Sequence, residues 1–228
     1  KTGAYSFKEE IIIENHVKDI QVIFNNSFNR SSNFDNFFQY PYEVLDSEIN
    51  SHYRIGLQIG THIGKANNNG ELFLDLNFMN LEVQEYFTVS INNPNNASPE
   101  PTYQNLPIFG EEKRSVFNLG YSKYLHNEND LIISLPIFVQ LTNSRLQQNY
   151  ILVNGRQYNI YHGQPGQNNT NPGGIGYGFG SGLTSTLKFN DKFSFALGYY
   201  ASYSKIKMNE NLQPWGLHHS FFTRIIWG

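Results

Sequence analysis

The sequence predicts an all-β fold: an eight-stranded antiparallel up-and-down β-barrel that spans a membrane. Three observations lead there. The first is sustained alternation. From Ile175 in steps of two the chain reads Ile175, Tyr177, Phe179, Ser181, Leu183, Ser185, Leu187 and Phe189, with Gly176, Gly178, Gly180, Gly182, Thr184, Thr186 and Lys188 between them. A period of two marks a strand, and this one is more than twice the usual length of roughly five or six residues. The second is the character of the non-apolar face. It is Gly and Ser with an occasional charge, and Gly on a solvent face weakens a strand for no return. Small residues suit a narrow barrel interior, with the bulky face turned to lipid. The third is asymmetry of the connections. Those at 65–70, 126–130 and 190–192 are short, and those at 25–51, 90–113, 143–173 and 209–216 are long. Outer-membrane barrels have short turns on the periplasmic side and long loops on the extracellular side.

Taken in order, the first strand is expected within residues 10–25, from Ile11-Ile12-Ile13 and the alternation of Ile20, Val22 and Phe24. The second covers 52–64, with Tyr53, Ile55, Leu57, Ile59, Thr61 and Ile63 on the bulky face. The third starts at Leu72, Leu74, Leu76 and Phe78, after which the apolar parity flips to Leu81, Val83, Phe87 and Val89. A β-bulge near Met79–Asn80 produces such a flip, as does a strand that leaves the bilayer there. Pro94, Pro99, Pro101 and Pro107 mark residues 90–113 as a loop. The fourth strand carries Phe117, Leu119, Tyr121 and Leu125, and the fifth runs from Leu131 to Thr142. Pro136 inside the fifth calls for a bulge or a missing ladder bond. Asn154-Gly155, between Tyr150–Val153 and Arg156–Tyr161, is a two-residue hairpin turn within the longest loop. Strands six and seven follow around the Asn190–Lys192 turn, and Leu217, His219, Phe221, Thr223, Ile225 and Trp227 form the outer face of the eighth.

Composition narrows the function classes. The chain of 228 residues is read as a single domain over 1–228, and charged residues make up only 15% of it. The net charge of −3 with no basic block argues against nucleic-acid binding. The chain has no cysteine, which removes disulfides and thiolate metal sites. Mean hydropathy is −0.47, as it is for barrels whose strands are half polar, and no apolar run nears eighteen residues. The opening Lys1-Thr2-Gly3 shows no apolar signal region, so the expectation is an exported protein whose signal peptide has been removed.

The arrangement of strands, turns and loops resembles the small eight-stranded outer-membrane barrels, the group that contains OmpX, the OmpA barrel domain and the PorT-like proteins of Bacteroidota. The resemblance covers nearly the whole chain, is architectural and carries no diagnostic motif. The closing Phe221, Thr223, Ile225, Trp227 is similar to the insertion signal of such barrels, although the chain ends in Gly228 rather than an aromatic. The resemblance implies residence in the outer membrane of a Gram-negative bacterium, with lipid and other outer-membrane or periplasmic proteins as partners and no cofactor.

Three groups of residues are candidates for function. The first is a lumen network of Arg54, Gln58, His62, Asp75, Lys188 and Arg224, in which Asp75 pairs with Arg224 or Lys188, since a buried charge needs a partner. The second is a set of loop contact residues: Phe34, Phe37, Phe38 and Tyr40 in loop 25–51, and Tyr150, Arg156 and Tyr158 in the hairpin. The third is His218 with Ser220. Outer-membrane lipid A deacylases of the PagL type use a His and a Ser at that spacing, and a His in reach activates a Ser nucleophile. Here the alternation turns both into the lumen, and Phe221 stands where that family has Asn. The seven histidines show no metal-ligand pattern. The leading expectation is therefore a non-enzymatic outer-membrane barrel acting through its loops or as a subunit of a larger assembly. The alternatives are a lipid A-modifying hydrolase using Ser220 and His218, and a soluble lipocalin-like binding barrel with its bulky faces inward.

Overall fold

The computed structural model describes residues 2–3, 20–45, 52–53, 56–96, 100–128, 130–160, 173–190, 192–207 and 215–227. The chain forms one antiparallel, up-and-down sheet. Its strands are β1 (Thr2–Gly3), β2 (Tyr42–Val44), β3 (His52–Tyr53), β4 (Leu57–Ala66), β5 (Gly70–Ile91), β6 (Thr102–Glu128), β7 (Leu131–Val153), β8 (Arg156–Asn159), β9 (Gly173–Asn190), β10 (Phe193–Lys205) and β11 (Trp215–Trp227). The order is β1-β11-β10-β9-β7-β6-β5, with β4, β3 and β2 end to end along the far edge of β5 and β8 on β7. The faces are those the alternation predicts. Ile59, Ile137, Phe179 and Ile225 point outward and are exposed, while Asp75, Asn118, Ser134, Thr184 and Ser202 point inward and are buried.

The sheet is not closed into a barrel. β4 and β11 are its long edges, and no ladder joins them among the described residues. The strand expected within 10–25 is not where the alternation put it. Residues 10–19 lie outside the described residues, and residues 20–25 are helical. The reason is period. Ile20, Ile23 and Phe24 are buried, at helical spacing, while Val22 is 71% exposed. The Ile20-Val22-Phe24 alternation was a coincidence within a helical pattern. The helical path continues through Ser27–Asn29, a π-turn at Arg30–Phe34, and Asp35–Phe38. Asn26 caps it, its side-chain oxygen accepting from the Phe28 and Asn29 amides.

Two of the expected long loops are largely strand. Pairing between β5 and β6 is continuous from Gly70↔Lys123 to Ile91↔Thr102, and β7 runs on to the Asn154-Gly155 turn. Of the prolines that suggested a loop at 90–113, Pro94 does occupy a turn, whereas Pro107 sits inside β6 opposite Tyr86. It lies just past the last β6–β7 pair, Ile108↔Ile151, where the ladder has one side only and a missing N–H is tolerated. The hairpin is as expected: Val153 pairs with Arg156, and Asn154 and Gly155 both adopt positive φ, as a primed turn requires. At Pro136 the ladder to β9 skips from Ser134↔Thr184 to Ile137↔Ser181, the missing bonds the sequence called for.

β5 has no bulge at Met79–Asn80; its pairing with β6 is unbroken. Its odd-numbered residues from Phe73 to Leu81 and from Phe87 to Ile91 lie on the inner side, and what changes along its length is their surroundings. Low on the strand the inner face is Asp75 and Asn77 and the outer face Leu72, Leu76 and Phe78; higher, the inner face is Leu81, Phe87, Val89 and Ile91. The outer face changes at one level across neighbouring strands. Phe78 gives way to Asn80 and Glu82 on β5, Phe117 to Ser115 and Lys113 on β6, and Leu141 to Asn143 and Arg145 on β7. The one strand that does flip parity near this level is β7, where a register shift opposite Glu111/Glu112 lets Asn149, Ile151 and Val153 follow Thr142 and Ser144 inward.

Above this level the β5–β6–β7 extension folds over the helical segment to make the larger apolar core. Ile20, Phe24, Phe34 and Phe38 pack on Phe87, Val89, Leu106, Ile108, Ile151 and Val153. Phe24 stacks on Phe34 at 4.6 Å between ring centroids, and Phe34 lies 4.9 Å from Tyr158. Asn33 ties the segment to the hairpin, its amide donating to the Tyr158 hydroxyl at 2.7 Å and its carbonyl accepting from Asn154 at 3.2 Å. At the rim, Tyr42 donates to Asp35 at 3.0 Å with the Arg30 guanidinium 5.5 Å from its ring centre. Burial and the Asp35 carboxylate push the Tyr42 phenol up to about 12.

Candidate functional site

The inner wall below the crossover level is the candidate site. It is more aromatic than its small residues suggested. Phe73, Phe138, Tyr200 and Phe222 line up across it, with centroid separations of 6.4, 4.9 and 4.6 Å. The glycines make room for these rings. Phe73 lies against Gly120, Phe138 against Gly180, Tyr200 against Gly182, and Phe222 against Gly198, each so close that a Cβ at the glycine would overlap ring atoms. The Gly-rich stretch that suggested a narrow lumen therefore also forms the bed for the rings that fill it.

Charge sits on this aromatic floor. Arg224 donates to Asp75 at 2.8 Å and to the Tyr200 hydroxyl at 3.0 Å, and its guanidinium lies 4.0 Å above the Phe222 ring centre. Asp75 is completely buried. Its other oxygen meets His62 Nδ1 at 2.6 Å, and His62 Nε2 faces Glu71 at 3.3 Å. Each His62 nitrogen thus faces a carboxylate, and a ring carrying both protons serves both. Gly64 and Gly60 leave space on β4 for the Glu71 and Asn77 side chains to lie inward. Higher on the wall, Arg114 grips Glu112 with two bonds, of 2.8 and 3.0 Å, and Gln140 donates to Asn118 at 3.0 Å.

The ring and ion-pair layer divides the interior. Below it lies a cavity of about 150 Å³ bordered by Glu71, Ser122, Thr184 and Lys188; above it is one of about 30 Å³ bordered by Asn77, Gln140, Thr142 and His218. The upper one holds room for roughly two waters. Thr142 Oγ1, Ser144 Oγ, Ser204 Oγ and both His218 ring nitrogens lie in this part of the wall without a hydrogen-bond partner among the described residues. A few waters are the natural partners of such groups.

The lumen network of the sequence reading is largely brought together. His62, Asp75 and Arg224 form one cluster, and Gln58 accepts from Ser220 at 3.1 Å. Of the two cations expected for Asp75, Arg224 is its partner, and Lys188 stands exposed at the turn end. Arg54 lies outside the described residues. Sequence reasoning missed Glu71, Glu112, Arg114 and the aromatic row. Alternation did place Phe138 and Phe222 on the inner face, which was the signal for the row.

Most of the loop contact candidates have another role. Phe34 and Phe38 are buried, and Phe37, Tyr40 and Tyr158 pack against the same core. Tyr150 stacks on Phe109 at 5.3 Å, which leaves Arg156 exposed at the hairpin tip. His218 and Ser220 both face inward. The Ser220 hydroxyl donates to Gln58 rather than to His218, so the pair does not form a nucleophile and its base in this geometry. Among the described residues no group of three or more His, Asp or Glu side chains is arranged to hold a metal ion.

Fold and site together define an all-β protein: a curled antiparallel sheet with a filled aromatic and ionic interior, an apolar outer belt and an apolar-cored cap. No family model, curated protein or solved structure matches the chain.

Proposed function

We propose that this chain is an integral outer-membrane β-barrel of a Gram-negative bacterium, non-enzymatic, which works as a subunit of a larger outer-membrane assembly or through its extracellular cap. The observation that carries the reading is the inversion at one level of the sheet. Below it Leu57, Ile59, Ile63, Leu119, Ile137, Val139, Phe179, Leu183, Leu197 and Ile225 are exposed around the outside while ionic and polar groups are buried inside. Above it the pattern reverses. Water on both halves does not account for this, because a contiguous apolar patch beyond a few hundred Å² on a soluble monomer is rare. Hydrocarbon around the lower half and water around the upper half account for both. On β7 the outward apolar run from Leu131 to Leu141 covers roughly 33 Å of strand, or about 25 Å of height at a barrel tilt of ~40°, the usual height of the apolar band.

The interior supports a role other than conduction, since the Arg224 layer and its rings separate the two cavities. It supports a role other than binding an apolar ligand inside, since the bulky faces are on the outside. The cap is the surface left for partners. Arg156 at the hairpin tip, with Tyr86 and Tyr103 exposed on the β5–β6 extension, is where contact is expected. The test is flotation of the refolded chain with liposomes, followed by quenching of Trp215 and Trp227 by lipids brominated at known depths. Co-flotation with quenching of both, and protection of the strands from added protease, is the expected result. A chain that stays in the aqueous fraction defeats the reading.

A further inference from the structure

Just above the apolar belt, Lys113 on β6 and Arg145 on β7 stand directly opposite each other as ladder partners on the outer face. Alternation turns both outward: Glu112, Arg114 and Ser144 beside them are buried, while Lys113 and Arg145 are exposed. The outward pairs leading up from the belt are Phe117↔Leu141, then Ser115↔Asn143, then Lys113↔Arg145, and Asn80 continues that last row onto β5. Side chains opposite each other on one face have Cβ atoms about 4.5–5.5 Å apart, and like charges placed so repel. Among the described residues neither cation has an ion pair or a hydrogen bond that relieves this. The inside of the wall is different: Arg114, next to Lys113 in sequence, is held by two bonds to Glu112. The next outward row, farther from the belt, is acidic, with Glu82 opposite Glu111. A row of two cations and an amide thus lies between the belt and the acids. Lys113 is about 14 Å up the strand from Phe117, or about 10 Å in height at a tilt of ~40°. The headgroup layer adds about 5–7 Å to each side of the hydrocarbon, and Lys and Arg side chains extend over apolar surface to place their charge there.

We propose that Lys113 and Arg145 form a binding site for the phosphate of an anionic lipid in the leaflet at the cap end, whose acyl chains lie on Phe117 and Leu141. An anion between two opposed cations turns their repulsion into two attractions. The guanidinium offers a fork that matches two phosphate oxygens, and the ammonium adds a compact charge. Asn80 stands beside Lys113 as a further donor. The acidic row above keeps the phosphate on the belt side of the cations, which is the side a headgroup reaches. Basic residues at a membrane boundary attract anionic headgroups. Continuity with the belt selects a lipid over a free phosphate, because only a lipid also covers the exposed Phe117 and Leu141. The proposal rests on the membrane reading above.

The full chain is refolded into phosphatidylcholine vesicles with and without a minority of phosphatidylglycerol, and the lipid it retains after extraction in mild detergent is counted by mass spectrometry. Preferential retention of phosphatidylglycerol is expected, weakened about tenfold in Lys113→Gln combined with Arg145→Gln. Lys65→Gln combined with Lys192→Gln removes the same charge at the turn end and is expected to leave retention unchanged. An equal loss there shows attraction to charge in general and overturns the site. Stability gives a second readout. In phosphatidylcholine alone the Lys113/Arg145 double variant is expected to unfold at a denaturant concentration no lower than the parent, because the opposed charges are gone. Phosphatidylglycerol is expected to raise the parent's midpoint and not the variant's, since a ligand of the folded state stabilises it. If the double variant does not fold, Arg145→Gln alone decides, with partial loss of retention expected and full retention against the proposal. A midpoint that rises equally in parent and variant overturns it. So does displacement of the lipid by millimolar inorganic phosphate, which makes the ligand a free anion. A chain that enters phosphatidylcholine vesicles yet shows no preference for phosphatidylglycerol keeps the membrane reading and loses this one; a chain that enters neither kind of vesicle loses both.

Discussion

Arg224 on β11 and Asp75 on β5 are joined by a 2.8 Å ion pair across the cleft where the sheet is open. The backbones on either side do not pair there, yet the interior does. His62 on β4 is tied to the same carboxylate, so three strands on the two sides of the opening converge on one fully buried acid. The pair therefore sets the curl of the sheet from the inside. It rests on Phe222 and Tyr200, which in turn lie against Gly198 and Gly182.

Removing one partner of this cluster is expected to cost far more than removing both. Arg224→Met leaves the fully buried Asp75 with His62 beside it but without its guanidinium, and breaking a buried pair from one side costs about 3–5 kcal/mol. Arg224→Met combined with Asp75→Asn is expected to recover part of that loss. Urea unfolding of the four members of the cycle, followed by the gel shift between folded and heated forms, measures the coupling. Equal and additive losses mean the two residues do not share a site.

The ring-on-glycine packing makes a second, steric prediction. Gly198→Ala puts a methyl group into the Phe222 ring, and overpacking of this kind costs about 1–3 kcal/mol. Phe222→Leu in the same chain is expected to relieve it, although Phe222→Leu alone is destabilising. The readout is the unfolding midpoint of the two singles and the double.

How much of this was legible in the sequence depends on which period governed a segment. The strands whose two faces meet different surroundings, such as β9 and β10, were readable to the residue, because a period of two has one interpretation over fifteen positions. Residues 20–25 were not. Ile20, Val22, Ile23 and Phe24 contain both periods, and only the burial of Ile23 against exposed Val22 decides between them. Phe34, Phe37 and Phe38 carry the same helical spacing, which the surrounding Asn and Ser disguise as a loop surface. The cap is hidden for a related reason: the prolines at 94–107 read as a loop although Phe87, Val89 and Ile91 alternate just before them and Leu106 and Ile108 alternate about Pro107. Of the site, Asp75 with Arg224 was legible because a lone buried acid needs a cation. The aromatic row was not, because rings facing inward in small-residue strands read as interruptions rather than as what the glycines accommodate.

The outer belt predicts a depth-dependent response to charge. Ile137 is 62% exposed near the middle of the belt on β7, and Asn143 lies on the same strand at its upper boundary. Ile137→Arg is expected to cost about 2–4 kcal/mol in a bilayer and Asn143→Arg about 0–1. Equilibrium unfolding from liposomes compares them. In water both substitutions would be close to neutral, so equal small effects argue against a lipid-facing belt.

The cap has its own core, and its loss is expected to be local. Phe34 is fully buried between Phe24 and Tyr158, and Phe→Ala at such a site costs about 3–5 kcal/mol. Phe34→Ala is expected to expose residues 20–45 and the β7–β8 hairpin to limited proteolysis while the lower strands keep their protection. Uniform cleavage along the chain would mean that cap and sheet fold as a single unit.

At alkaline pH the cap is expected to loosen before the lower sheet does. The Tyr42 phenol is raised in the folded protein to about 12, from an ordinary 10.0, by burial and by its bond to Asp35. An acid whose folded value is raised binds its proton more tightly when folded, so its contribution is complete below pH 10 and fades as pH climbs toward 12. In Tyr42→Phe the phenol is gone, and the stability difference between the two proteins should shrink through that window. Proteolytic release of the cap, followed from pH 9 to 12 in both proteins, tests the sign. A Tyr42→Phe cap that falls apart as readily as the parent across the whole window would show that another group controls the transition.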